Sequence, residues 1–216
     1  MKTATIVSSI FLSLVVLSGA DAQVAFKADL DQAQAGGTGS TATGSAILAY
    51  DPSFTNLNMF ITFNGITTAQ ITGFHIREAS AGVVGPIIYG LVNPNHDLFG
   101  FANLGNGYVS QWDIADVANG AAYDPGSLQV ILSLATEGYY FNAETAAFPG
   151  GEIRGQIVPV LFGDINLDQT VNLLDLAPFI SLLATGGYQI EADFDLNGVI
   201  NLTDVTGFLL AIINGG

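Results

Sequence analysis

A chain of 216 residues with 19 acidic side chains against 4 Lys and Arg, for a formal net charge of −15, has no basic surface to hold a phosphate backbone or an anionic membrane. The absence of cysteine excludes a disulfide framework and thiol chemistry. The length suffices for one substantial domain and a smaller one.

Residues 1–22 read as a secretion signal. Lys2 supplies the positive start, Ile6 to Leu17 the apolar core, and Ala20-Asp21-Ala22 a small-residue cleavage site, so the mature chain is expected to begin at Gln23. The apolar core is short for a bilayer span, and no second stretch of membrane length follows. The expectation is a secreted or cell-surface protein without a transmembrane segment.

Residues 23–158 read as all-β. Leu57, Met59, Ile61 and Phe63 alternate with polar or outward residues, and Leu128, Val130, Leu132 and Leu134 repeat the pattern. Ile153 and Ile157 point one way while Glu152, Arg154 and Gln156 point the other. Further strands are expected near residues 24–30, 41–50, 71–78, 108–112 and 138–145. Turn signals such as Gly36-Gly37, Asp51-Pro52, Asn93-Pro94, Asp124-Pro125 and Pro149-Gly150-Gly151 separate them. Many short strands with such turns predict a β-sandwich or barrel. His96, within the Asn93–Gly107 loop, is expected to face solvent. No nucleophile elbow or paired-carboxylate constellation stands out, and Glu137, Glu144 and Glu152 are candidates only by being acidic, so no enzyme is expected.

Residues 159–216 carry an internal repeat at an offset of 29 residues, in which Asp164 matches Asp193, Asn172 matches Asn201, Asp175 matches Asp204 and Phe179 matches Phe208. Each copy fits a twelve-residue calcium loop, whose ligands come from positions 1, 3, 5, 7, 9 and 12 with a sharp turn at 6. The first set is Asp164, Asn166, Asp168, the Thr170 carbonyl, Asn172 and Asp175. The second is Asp193, Asp195, Asn197, the Val199 carbonyl, Asn201 and Asp204. Gly198 holds the turn of the second loop and Gln169 stands in the first. This segment has seven acids and no Lys, Arg or His, and a bound cation is the simple remedy for that repulsion. Two calcium ions are therefore the expected cofactors. Two helical stripes follow the loops, Leu173, Leu176, Phe179, Ile180 and Leu183, then Leu202, Val205, Phe208, Leu209 and Ile212, expected to bury against each other. Val171 and Ile200 are expected to form a small β bridge between the loops, and Pro178 and Gly207 to weaken the two helix interiors.

The duplicated loop with Asp at position 12, each followed by one helix, resembles the type I dockerin. The resemblance implies calcium-dependent folding and docking onto a cohesin-type partner. It points to loop positions 10 and 11, here Leu173-Leu174 and Leu202-Thr203, as partner-docking residues. Leu174 marks either such a surface or packing within the chain.

The first half carries Phe26-Lys27-Ala28-Asp29-Leu30, then Gly73-Phe74-His75-Ile76-Arg77 and Gly85-Pro86, and then Tyr139-Tyr140-Phe141-Asn142 leading to Phe148-Pro149-Gly150-Gly151-Glu152-Ile153-Arg154-Gly155. This set resembles the CHRD domain found in chordin and in bacterial secreted proteins. It implies an immunoglobulin-like β fold. Where the family commonly places His-x-His and a later His, this chain has His75-Ile76-Arg77 and Glu144. Arg77 and Glu144 are either an ion pair or unrelated surface charges, and Arg154 is a rival partner for Glu144. The expected whole is thus an immunoglobulin-like β-sandwich or barrel followed by a small all-α calcium-binding module. The expected function is a non-catalytic binding or scaffold protein. The alternative is a polysaccharide-associated component of a carbohydrate-degrading complex.

Overall fold

The computed structural model describes residues 24–98, 100–120 and 123–214. The expected signal sequence lies outside them. Contacts within the chain form two compact units that divide between Pro159 and Val160. Among the described residues no helix is long and apolar enough to cross a membrane.

The first unit is a β-sandwich of two antiparallel sheets. Its strands in chain order are β1 (Ala25–Leu30), β2 (Thr43–Tyr50), β3 (Leu57–Asn64), β4 (Ile71–Glu78), β5 (Ile87–Val92), β6 (Ala102–Asn103), β7 (Gly107–Trp112), β8 (Tyr139–Thr145), β9 (Ile153–Gln156) and β10 (Val158–Pro159). One sheet has the order β10-β1-β2-β3-β7-β6 and the other β5-β4-β8-β9. Alternation decides what each strand buries. In β3, Leu57, Met59, Ile61 and Phe63 are buried and the intervening residues face out. Phe63 meets Phe74 of the opposite sheet edge-on at 5.3 Å, Phe74 stacks on Phe141, and Tyr89 stacks on Trp112 at 4.6 Å. Each ring so buried contributes about 2–3 kcal/mol.

Residues 128–135 depart from the expected strand and form helix α1 (Leu128–Ala135). The alternation of Leu128, Val130, Leu132 and Leu134 is broken by the equally apolar Ile131. Ser127 caps the helix by accepting from the Val130 amide at 3.3 Å. The helix buries Val130, Ser133, Leu134 and Ala135 and leaves Leu128 exposed, a helical spacing. Three strands that the alternation did not indicate are also present. β5 is a continuous apolar run, and β6 and β10 have only two residues each.

The second unit holds helices α2 (Leu176–Thr185) and α3 (Asp204–Asn214), each preceded by one loop of the repeat. Its core is Ile165, Phe179, Ala192, Ile200 and Phe208, with Leu182, Leu183, Phe194, Val205 and Ile212 around it. The repeat partners Phe179 and Phe208 stack at 4.1 Å. The two stripes are rotated from the expected ones. Leu173, Leu176, Ile180, Leu202 and Leu209 are exposed. Leu173 lies in a 3-10 turn (Leu173–Asp175) and Leu202 in the turn before α3, so neither shares the helical register.

Val171 and Ile200 are buried, but among the described residues no bridge joins them. The loop starts are tied instead by the Gly163 amide donating to the Glu191 carbonyl (2.8 Å) and by Gln189 Nε2 donating to the Ile165 carbonyl (2.9 Å). Pro178 and Gly207 fall in the first turns of α2 and α3 rather than in their interiors. Pro178 is tolerated there because first-turn amides lack helical partners. Gly207 is required by packing, since a Cβ at that position would lie 2.6 Å from the Phe194 ring.

Candidate metal centre

Each loop is wound around the carboxylates at its first and last positions. In the first loop Asp164 Oδ1 accepts from the Asp168 amide (3.0 Å) and Oδ2 from the Gln169 amide (2.9 Å). Asp175 Oδ1 accepts from the Ile165 and Asn166 amides (2.8 and 3.0 Å) and Oδ2 from the Asn172 amide (2.9 Å). The second loop repeats this bond for bond. Asp193 accepts from the Asn197 and Gly198 amides, and Asp204 from the Phe194, Asp195 and Asn201 amides. The side-chain amides of Asn172 and Asn201 each donate to the position-7 carbonyl, Thr170 O and Val199 O, at 3.3 Å. Asn166 donates to Asp168, and Asn197 to Asp195, each at 2.9 Å.

Position 6 requires a left-handed backbone in both loops. Gly198 has φ 83° and Gln169 φ 67°. Position 4 is left-handed as well, with Leu167 at 60° and Leu196 at 51°.

Asp164, Asp175, Glu191, Asp193 and Asp204 are all 5% exposed or less, in a segment with no Lys, Arg or His. Burial pushes the Asp193 carboxyl above its usual range, against the lowering effect of its hydrogen bonds. Asp193, Asp195 and Asp204 each bring a carboxylate oxygen within 4.8 Å of the others, the one such acidic set among the described residues. Position 3 of the first loop, where the second has Asp195, carries the neutral Asn166. The donors of both loops are oxygens from carboxylates, amides and carbonyls, with no imidazole or thiolate. This is the ligand chemistry of a hard divalent cation.

Two features of the second loop were not anticipated. Tyr188 interacts with Asp193, and burial together with that carboxylate pushes the phenol above its usual range. Thr203 Oγ1 donates to Asp195 Oδ2 at 2.7 Å, where the first loop has Leu174. Thr203, which the dockerin resemblance marks as a docking residue, is thus engaged with its own loop. Leu173, Leu174 and Leu202 project into solvent at 72, 69 and 81% exposure.

The β unit handles its charges differently. Arg77 Nη2 donates to Glu144 Oε1 at 2.8 Å and its Nη1 to the Gly85 carbonyl at 3.1 Å. The two residues meet because β4 and β8 pair antiparallel, with Gly73 opposite Glu144. A Cβ at Gly73 would lie 2.6 Å from Glu144 Oε2. Asn142 Nδ2 also donates to Glu144 Oε1, at 3.2 Å.

His75 is buried. Its Nε2 lies 2.9 Å from the Asn93 carbonyl, and because a carbonyl only accepts, Nε2 carries the proton. Its Nδ1 lies 3.5 Å from Glu144 Oε1 and has no hydrogen-bond partner. His96 is not fully exposed as expected. Its Nδ1 accepts from the Gly90 amide at 3.0 Å, and its ring lies 4.2 Å from that of Tyr123.

Arg154 turns away from Glu144 and is buried rather than outward. Its guanidinium sits 3.3 Å over the Tyr140 ring and donates to the Val83 and Ser80 carbonyls. Glu152, expected on a polar face beside Arg154, is buried. It accepts from Ser40 and Thr145, each at 2.6 Å.

A family model described as the CHRD domain matches residues 26–157. The chain belongs to the CHRD domain family. The match covers the β-sandwich and ends before the duplicated loops, whose reading rests on their geometry. No curated protein and no solved structure matches the chain.

Proposed function

We propose that this CHRD-domain protein is an exported, non-catalytic binding or scaffold protein. In this reading its C-terminal module is organised by two calcium ions and docks onto a cohesin-type partner. One observation carries it. Two loops with the same hydrogen-bond network bury four carboxylates, Asp164, Asp175, Asp193 and Asp204, in a segment that has no Lys, Arg or His. Isolated buried carboxylates cost several kcal/mol each unless a cation neutralises them. Asp164, Asn166, Asp168, Thr170, Asn172 and Asp175 would hold one ion. Asp193, Asp195, Asn197, Val199, Asn201 and Asp204 would hold the other. The ions supply the positive charge that the segment lacks. The residues themselves set the loop path, each terminal carboxylate fixing backbone amides across its own loop.

The docking part of the reading is supported by the exposed Leu173, Leu174 and Leu202 beside the loops, with Leu209, Leu210 and Ile213 on α3. Calcium titration calorimetry on the chain from Gln23 onward, with circular dichroism before and after chelation, tests the calcium reading. Two sites and loss of helix on chelation are expected. Trp112, the only tryptophan, lies in the β-sandwich, and its fluorescence should not change. No binding with helices intact overturns the reading. Capture of a purified cohesin domain, abolished by chelator, tests the docking reading separately.

A further inference from the structure

On the outward face of the six-stranded sheet, the register sets side chains in rows across the strands. The middle row runs Lys27, Ile47, Phe60, Val109 and Ala102. One neighbouring row brings Asn58 and Gln111 together at 3.1 Å, and the other brings Ser45 and Thr62 together at 3.1 Å. Phe60 is 48% exposed and Val109 37%. An uncovered aromatic ring therefore lies between a pair of amides and a pair of hydroxyls. With strands about 4.8 Å apart, the row from β2 to β6 spans about 14 Å. In a chain with 19 acids, the only one in these rows is Asp29, on β1.

We propose that this face binds a neutral polysaccharide chain, with the Phe60 ring against the C–H face of a sugar. The amides of Asn58 and Gln111 and the hydroxyls of Ser45 and Thr62 bond the sugar hydroxyls. The charge distribution selects this occupant. A second copy of a chain carrying −15 is repelled, and so is any polyanion. A cationic partner would find no carboxylates along the middle of the face. An ordinary protein interface covers about 800 Å² per side around an apolar centre, whereas this row offers one ring and three small aliphatic side chains. Single rings framed by neutral hydrogen-bonding groups suit a ligand whose surface alternates C–H faces with hydroxyls. The proposal names the ligand of the β-sandwich within the binding-protein reading above, and does not depend on calcium.

The test uses the chain from Gln23 onward, in depletion assays on insoluble cellulose and chitin and in affinity gels containing xylan, mannan or mixed-linkage β-glucan, each with and without chelator. Retention on at least one of these neutral polymers is expected, unchanged by chelation. Phe60→Ala should weaken it by about tenfold or more, Asn58→Ala by about threefold, and Phe60→Tyr should preserve it. Phe60 is half exposed, so Phe60→Ala should keep the wild-type circular dichroism and melting curve. Lack of retention on every polymer overturns the proposal, as does Phe60→Ala binding like wild type. Sedimentation showing a dimer that Phe60→Ala dissociates overturns it in favour of a second copy. If calorimetry finds no calcium while retention persists, the calcium reading fails and this one stands.

Discussion

The two units bury charge in opposite ways. In the β-sandwich the buried or half-buried ions are answered by the sandwich itself. Arg77 meets Glu144, and Arg154 meets two carbonyls and the Tyr140 ring. Asp116 accepts from Tyr89 and from backbone amides, and Glu152 from two hydroxyls. In the C-terminal module the four buried loop carboxylates, Asp164, Asp175, Asp193 and Asp204, are met chiefly by backbone amides of their own loops. A fold whose ions are internally compensated is complete as a chain. One whose loop carboxylates converge is, in the reading proposed above, completed by a cation from outside. The comparison therefore separates a unit that stability should not tie to solution ions from one that it should.

The sharpest way to break the comparison is to remove the last carboxylate of a loop. Asp204 is fully buried and accepts from three backbone amides. Asp204→Ala orphans these donors and is expected to cost about 3–5 kcal/mol in calcium-containing buffer. That suffices to unfold a module of this size. Helical circular dichroism should fall while Trp112 fluorescence stays native. A next smaller effect is expected in the sandwich. Arg154→Ala removes the stack on Tyr140 and the clamp on the Ser80 and Val83 carbonyls, at about 2–4 kcal/mol. Denaturation followed by Trp112 measures it, and should give the same loss with or without chelator. Arg154→Lys should recover little, because an ammonium lacks the planar fork that reaches both carbonyls from over a ring.

Much of this was legible in the sequence, for reasons that differ between the units. Strands such as Leu57–Asn64 announced themselves because one face of each is buried and the other wet. Leu128–Ala135 misled because a short apolar run satisfies both periods, and the cap at Ser127 was the signal that could have decided it. Ile87–Val92, a near-continuous apolar run ahead of the Asn93-Pro94 turn, gave no alternation to read. The loops were legible because their bonds join residues two to ten positions apart, so local spacing carries the geometry. The helix faces were not, since a 3-10 turn before α2 shifts the register that a plain 3.6 repeat assumes. Arg154 and Glu152 were misplaced because their partners come from chain segments roughly 70 and 110 residues away. Phe60 could have been noticed, as the one aromatic on the outward side of its strand.

The ion pair of the sandwich sharpens the contrast at a smaller scale. Arg77 and Glu144 are each nearly one-fifth exposed, so solvent discounts the pair. Arg77→Met and Glu144→Gln should each cost about 1–2 kcal/mol. The double-mutant cycle should return a coupling of about 1 kcal/mol that shrinks in high salt. Additive losses would show that the two side chains act through their other bonds, to the Gly85 carbonyl and to Asn142.

The smallest effect distinguishes the two loops from each other. Gln169 holds a left-handed φ of 67° at the position where the second loop has Gly198 at 83°. A side chain there costs about 1 kcal/mol or slightly more, part of which glycine returns through its freer unfolded chain. Gln169→Gly should therefore stabilise the module by about 0.5–1 kcal/mol and tighten calcium at the first loop by about two- to fivefold. Gly198→Gln should weaken the second loop by a similar factor. Calorimetry on the pair of variants reads both. If neither exchange shifts the two affinities toward or away from each other, backbone strain at the turn is not what sets the loops apart. The difference would then rest with Tyr188 and Thr203, which only the second loop possesses.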